Sequence, residues 1–146
     1  MFTKEVIETA KPCDNALRKL GWKWKPQPGE WCIYKKNGEI ALVTDYYPKT
    51  ASNKYETVEV LFPPRENTRV EEFANNFIPI LHWEKIEKIL EKAGYGIHIS
   101  SSWEHALCQI FLTSTGKGRR NVIVREGGRT RQEAIIKSVI ALAKGK

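Results

Sequence analysis

At 146 residues, with 41% apolar and 28% charged side chains, the chain falls among globular proteins and outside the composition of disordered ones. No apolar run is long enough to span a bilayer, and Lys4, Glu5 and Glu8 interrupt the apolar core of a signal peptide, so a cytoplasmic protein without a membrane partner is expected. The net charge of +7 sits wholly in the last third: residues 1–112 hold 15 basic and 15 acidic side chains, whereas residues 113–146 set nine basic ones against Glu126 and Glu133.

Residues 1–25 read as an N-terminal helical adapter. A short helix around residues 3–10 is expected to stop at Lys11-Pro12. Asp14 is then placed to cap a second helix that runs to Leu20 and ends on Gly21. Trp22 and Trp24 alternate with lysines, which on an extended segment turns both indoles to one side, to dock it on a core.

Pro26-Gln27-Pro28-Gly29 punctuates the chain. Beyond it strands are expected at Trp31–Lys35, Glu39–Tyr47 and Glu56–Phe62, and the Asn37-Gly38 pair between the first two is a hairpin signal. Pro63-Pro64 ends the third strand, Arg69–Phe73 offers another, and Phe77-Ile78-Pro79-Ile80 closes the unit. Short strands joined by tight turns over residues 26–81 predict a small barrel. The opening hairpin segment Pro28-Gly29-Glu30-Trp31-Cys32-Ile33, followed by Val58–Phe62, resembles an SH3-like barrel of the Tudor or chromo type. Tyr34, Tyr46 and Phe62 are candidates to line a groove for a peptide, a methylated cation or stacked bases; filling the core is the alternative use of the same rings. Tyr46 and Tyr47 are adjacent, so at most one of them joins such a groove.

Residues 82–146 change period. Trp83, Ile86, Ile89, Leu90 and Ala93 recur at helical spacing, and Gly94 stops the helix. Strands are expected at 96–101, 103–112 and 121–125, with Gly127-Gly128 as a turn. Thr130-Arg131-Gln132-Glu133 has the spacing of a capping box, and the helix it opens, through about Ala143, is apolar on most of its circumference. Such a helix must be buried against a sheet and something more. The whole is therefore expected to be an α+β protein, an SH3-like barrel followed by an αβββα layer.

The order helix, three strands, helix is that of a double-stranded-RNA-binding domain, whose second helix begins with a basic cluster on the phosphates. Arg129 and Arg131 stand at that place, although the family's Gly-Pro-x-His loop between its first two strands is missing. Residues 128–143, with Gly128-Arg129-Thr130 leading into Glu133-Ala134-Ile135, resemble more closely the final motif of small phage and prophage "ABA sandwich" domains. That resemblance implies a phage-derived accessory protein.

The charge excess divides between a loop, Thr115-Gly116-Lys117-Gly118-Arg119-Arg120, and the helix start at Arg129 and Arg131. Helix-end amides and guanidinium forks both donate to phosphate, so Lys117, Arg119, Arg120, Arg129 and Arg131 are the candidate anion-binding residues. Nucleic acid is the expected partner, with an acidic protein surface as the alternative. In that alternative the protein is an interaction module or an inhibitor of a host factor, using the basic patch or the barrel groove.

Other chemistries find little support. Gly116-Lys117 lacks the GxxxxGK[ST] order of a phosphate loop. Cys13, Cys32 and Cys108 are odd in number and show no CxxC, which reads as buried free thiols in a reducing compartment. His105 and Cys108, three apart on a strand, face opposite ways, so no metal or other cofactor is expected. Neither Ser100-Ser101-Ser102 nor Thr113-Ser114-Thr115 forms a nucleophile elbow, and His98 and Asp45 belong to no catalytic spacing, so no enzyme activity is expected.

Overall fold

A computed structural model describes residues 2–52, 54–61, 66–112 and 121–145. It is an α+β structure with two antiparallel sheets, and the chain divides into two units. One is Met1–Lys11 with Lys23–Ile80; the other is Pro12–Trp22 with Leu81–Lys146. No helix among the described residues is long and apolar enough to cross a membrane.

Helix α1 (Lys4–Lys19) runs through Pro12, where two helices were expected. An interior proline costs a hydrogen bond and a steric clash, about 3 kcal/mol. Burial on both sides of it offsets that cost: Ala10 packs with Ile33 and Ile78 of the first unit, whereas Cys13, Ala16 and Leu17 enter the core of the second. Thr3, not Asp14, begins the helix, its Oγ1 accepting from Val6 N–H at 3.2 Å. Asp14 instead lies inside α1, where Arg18 Nε donates to both its oxygens at 2.9 and 3.0 Å. The expected stop at Gly21 is present. Gly21 takes φ +100°, Trp22 N–H reaches Leu17 O at 3.0 Å and Gly21 N–H reaches Arg18 O at 3.0 Å. That is the left-handed helix end in which a glycine avoids the Cβ penalty. Trp22 and Trp24 do not share a destination, since Trp22 packs on the second unit's core while Trp24 is buried against Phe73 in the first.

The first unit is built on β1 (Trp31–Tyr34), β2 (Ile40–Tyr47), β3 (Thr57–Leu61), β4 (Glu66–Arg69) and β5 (Phe77–Pro79), ordered β4-β3-β2-β1-β5. The Asn37-Gly38 turn joins β1 to β2, with Asn37 Oδ1 accepting from Glu39 N–H at 3.0 Å. Residues 69–73 are not one strand: β4 ends at Arg69 and α2 (Val70–Asn76) begins at once. Phe73 on α2 and Phe77, the first residue of β5, come together there, their rings stacked at 4.4 Å. Trp24, at 5.2 Å from Phe73, and Tyr34, at 5.0 Å from Phe77, extend this into a row of four rings. The aromatic filling lies on the sheet face that also carries Cys32, Ala41, Val43, Val58 and Val60. The sheet is open, with β4 and β5 as its two edges.

In the second unit, α3 (Trp83–Lys92), β6 (Tyr95–Ser102), β7 (His105–Leu112), β8 (Asn121–Gly128) and α4 (Arg131–Lys144) follow in the expected order. The sheet order is β6-β7-β8, and α4 crosses β8 and β7 and meets α3. Alternation sends Ile97, Ile99, Cys108, Ile110 and Val124 into one core with Ile86, Leu90, Ile135 and Val139. The "something more" that α4 needs is α3 and the buried Cys13, Ala16 and Leu17 of α1. Gly127 and Gly128 belong to β8 and do not turn the chain; a Cβ on Gly128 would lie 2.9 Å from Ala134 N, so this residue lets the helix start press onto the strand end.

Candidate nucleic-acid interface

The end of the second unit where α4 begins is assembled from three chain segments. Leaving β8, the chain is extended at Thr130, whose Oγ1 accepts from Glu133 N–H at 3.1 Å. Glu133 Oε2 reaches back to Arg129 N–H at 3.4 Å, one residue earlier than a standard capping box, and Oε1 pairs with Lys137 at 2.8 Å. The cap leaves Arg129 and Arg131 exposed on either side of Thr130.

Arg131 is held from two directions. Its guanidinium lies over Trp83, 5.2 Å from the ring centroid, and its Nε donates to Ser101 Oγ at 3.1 Å. Next to it, Gln132 Nε2 donates to Leu81 O at 2.7 Å. These contacts bring the N-terminus of α3 beside that of α4. His82 caps α3, its Nδ1 accepting from Glu84 N–H at 3.5 Å. Two helix N-termini at one place add two positive dipole ends to the two arginines. Glu87, on α3, is one opposing charge that feels Arg131. Burial first, then Glu91 and Glu84, push its carboxyl up from the ordinary range, while Arg131 pulls it down.

The third segment is the β6–β7 turn. Ser102 pairs with His105, leaving Trp103 and Glu104 as the turn's two central residues. Glu104 takes φ +62°, a left-handed conformation unusual for a residue with a Cβ. Trp103 is 94% exposed.

Of the five candidate anion-binding residues, Arg129 and Arg131 are brought together at this end. Lys117, Arg119 and Arg120 lie outside the described residues. The strand ends that flank their segment, Leu112 and Asn121, pair with each other at the far end of the β7–β8 ladder from Gly128. Seven residues of strand, about 23 Å, separate Asn121 from Gly128.

Two of the groove candidates, Tyr34 and Tyr46, do not converge. Tyr34 is engaged with Phe77, and Tyr46, near the other end of β2, donates to Glu56 Oε2. About 20 Å of sheet lies between Tyr34 and Tyr46, and Phe62 is outside the described residues. All three cysteines are free and buried. Burial pushes the Cys13 and Cys32 thiols up to about 12, helped by Asp14 and Glu30 respectively, and raises that of Cys108 as well. His105 is exposed while Cys108 is buried, as opposite faces of β7 require.

In the sequence Trp83 shares the helical spacing of Ile86 and Leu90, Ser101 stands in a run of three serines, and Trp103 opens the expected strand 103–112, whereas β7 begins only at His105. The signal for Trp103 was its place in the chain. It follows the polar run Ser100-Ser101-Ser102 and is out of phase with the alternation Ala106/Cys108/Ile110 that comes after it. In comparisons with protein-family models, curated proteins and solved structures, nothing matches the chain.

Proposed function

We propose that this protein is a non-enzymatic binding protein whose second unit contacts the phosphates of a nucleic acid through the shared start of α3 and α4. The observation that carries the reading is the mooring of Arg131 by Trp83 and Ser101, beside Arg129. Stacking and the Nε bond consume one face and one donor of the guanidinium, leaving its outer amino groups for a phosphate. Arg129 and Arg131 carry the central contacts. Lys117, Arg119 and Arg120 supply further charge, and the confinement of the whole +7 to residues 113–146 supports their part.

Two resemblances agree with this reading. The αβββα order with a basic helix start is that of double-stranded-RNA-binding domains, and residues 128–143 are similar to phage "ABA sandwich" motifs, which supports a phage or prophage setting. The order β4-β3-β2-β1-β5, with α2 leading into the last strand, supports an SH3-like layout for the first unit, open between β4 and β5. A cytoplasmic site of action accords with three free thiols.

A gel-shift titration with DNA and RNA at low and high salt tests the proposal. Binding that weakens steeply with salt is expected. No binding to any nucleic acid at low salt would overturn it, and nuclease-insensitive retention of a protein partner would point to an acidic protein surface instead.

A further inference from the structure

The ring of Trp103 is 94% exposed, so both its faces are free. The other four tryptophans are all in use. Trp22 packs on the second unit's core, Trp24 on Phe73, Trp31 on Phe2, and Trp83 beneath Arg131. Trp103 stands on a turn of two residues whose second member, Glu104, holds φ +62°, and the turn carries the ring away from the sheet. Tryptophan is enriched where proteins meet their partners, and a ring this exposed does no packing within the fold.

The charge around the ring narrows what that contact is. Residues 95–112, the whole β6–β7 hairpin, contain no lysine or arginine, and Glu104 is the immediate neighbour. The tip is therefore not built to hold a phosphate. The cations lie one step back, where Ser101, two residues before Trp103, accepts from Arg131 Nε. Two residues of strand are about 7 Å, within the reach of a single nucleotide from phosphate to base. Phosphates on the arginines thus place a base, not another phosphate, at the ring. In a duplex each base face is covered by its neighbours, whereas an unpaired base offers a face for stacking.

We infer that Trp103 is a stacking platform for an unpaired base, so that the nucleic acid bound at this end of the second unit is single-stranded. This rests on the reading of Arg129 and Arg131 as phosphate contacts.

Fluorescence anisotropy tests it with the full chain, a labelled 20-nucleotide single strand and the duplex of the same sequence, at two salt concentrations. Wild type is expected to favour the single strand. Trp103→Ala should weaken single-strand binding roughly 5- to 100-fold, the range of one lost base stack, with the salt dependence unchanged because no charge is removed. Trp103→Phe should retain most of the affinity. Because the ring supports nothing in the fold, both variants should melt with the wild type. Single-strand binding unaffected by Trp103→Ala, or a duplex bound as well as the single strand and weakened equally by it, would overturn the inference and leave the phosphate reading standing. Failure of the wild type to bind either nucleic acid would overturn both.

Discussion

The guanidinium of Arg131 rests on the ring of Trp83 at 5.2 Å and joins the starts of two helices that lie 48 positions apart in the chain. A cation over an indole at a solvent-facing site is worth about 0.5–1 kcal/mol, enough to fix one rotamer of a side chain that otherwise samples many. Arg131→Gln should therefore reduce the salt slope of nucleic-acid binding by about one phosphate contact. Arg131→Lys should keep the slope but bind several-fold more weakly, since a lysine neither stacks as well nor donates as a fork. Equal affinity of Arg131→Lys and wild type would show that charge alone, not the moored fork, matters.

Gly128 makes a prediction about stability. A Cβ there would meet Ala134 N at 2.9 Å and the Cβ and Cγ of Glu133 at 3.0 Å, at a helix start capped by Thr130 and Glu133. Backbone, not a flexible side-chain tip, is in the way. Gly128→Ala should destabilise the fold by about 1–3 kcal/mol, as overpacking does elsewhere, measured by denaturant unfolding.

Glu87 gives a pH dependence with a defined sign. Burial, Glu91 and Glu84 raise its carboxyl above the ordinary 4.5 more than Arg131 lowers it. The folded state then holds this proton more tightly than the unfolded chain does. Its contribution is fully present below the unfolded value and is lost as pH rises through the folded one. Glu87→Gln should thus raise the melting temperature at neutral pH and leave it unchanged below about pH 4. A lower melting temperature at neutral pH would mean that the attraction to Arg131 outweighs the rest.

The thiols make a prediction about reactivity. Cys13 and Cys32 are buried and held near 12, and Cys108 is buried with its thiol also raised. At about pH 8, a thiol near 12 is ionised in roughly one molecule in ten thousand. A thiol-specific reagent should label none of the three in the folded protein within minutes, and all three once guanidinium unfolds it.

Much of the second unit was legible from local pattern. The apolar circumference of α4 and the Thr130–Glu133 spacing are both short-range signals, and the structure carries both. Asn37-Gly38 worked for the same reason. Pro12 misled because its local veto is outweighed by burial on both sides, from Ala10 to Leu17, which no window of sequence displays. Phe73 misled in the same way: it reads as a strand residue until its ring is seen stacked on Phe77 from a helix. The candidate site was half legible. Arg129 and Arg131 announced themselves by charge, but the Ser101 contact spans 30 residues, and Trp83 reads as core because it shares the helical spacing of Ile86 and Leu90.

The most direct test of the account is the salt dependence of single-strand binding by the wild type and by the double variant Arg129→Gln/Arg131→Gln. Each phosphate contact contributes about 0.7 to the slope of log affinity against log salt for a single strand. If Arg129 and Arg131 hold phosphates, the wild type binds at low salt, and the double variant binds more weakly with a slope smaller by about 1.4. A double variant that matches the wild type in both affinity and slope would contradict it.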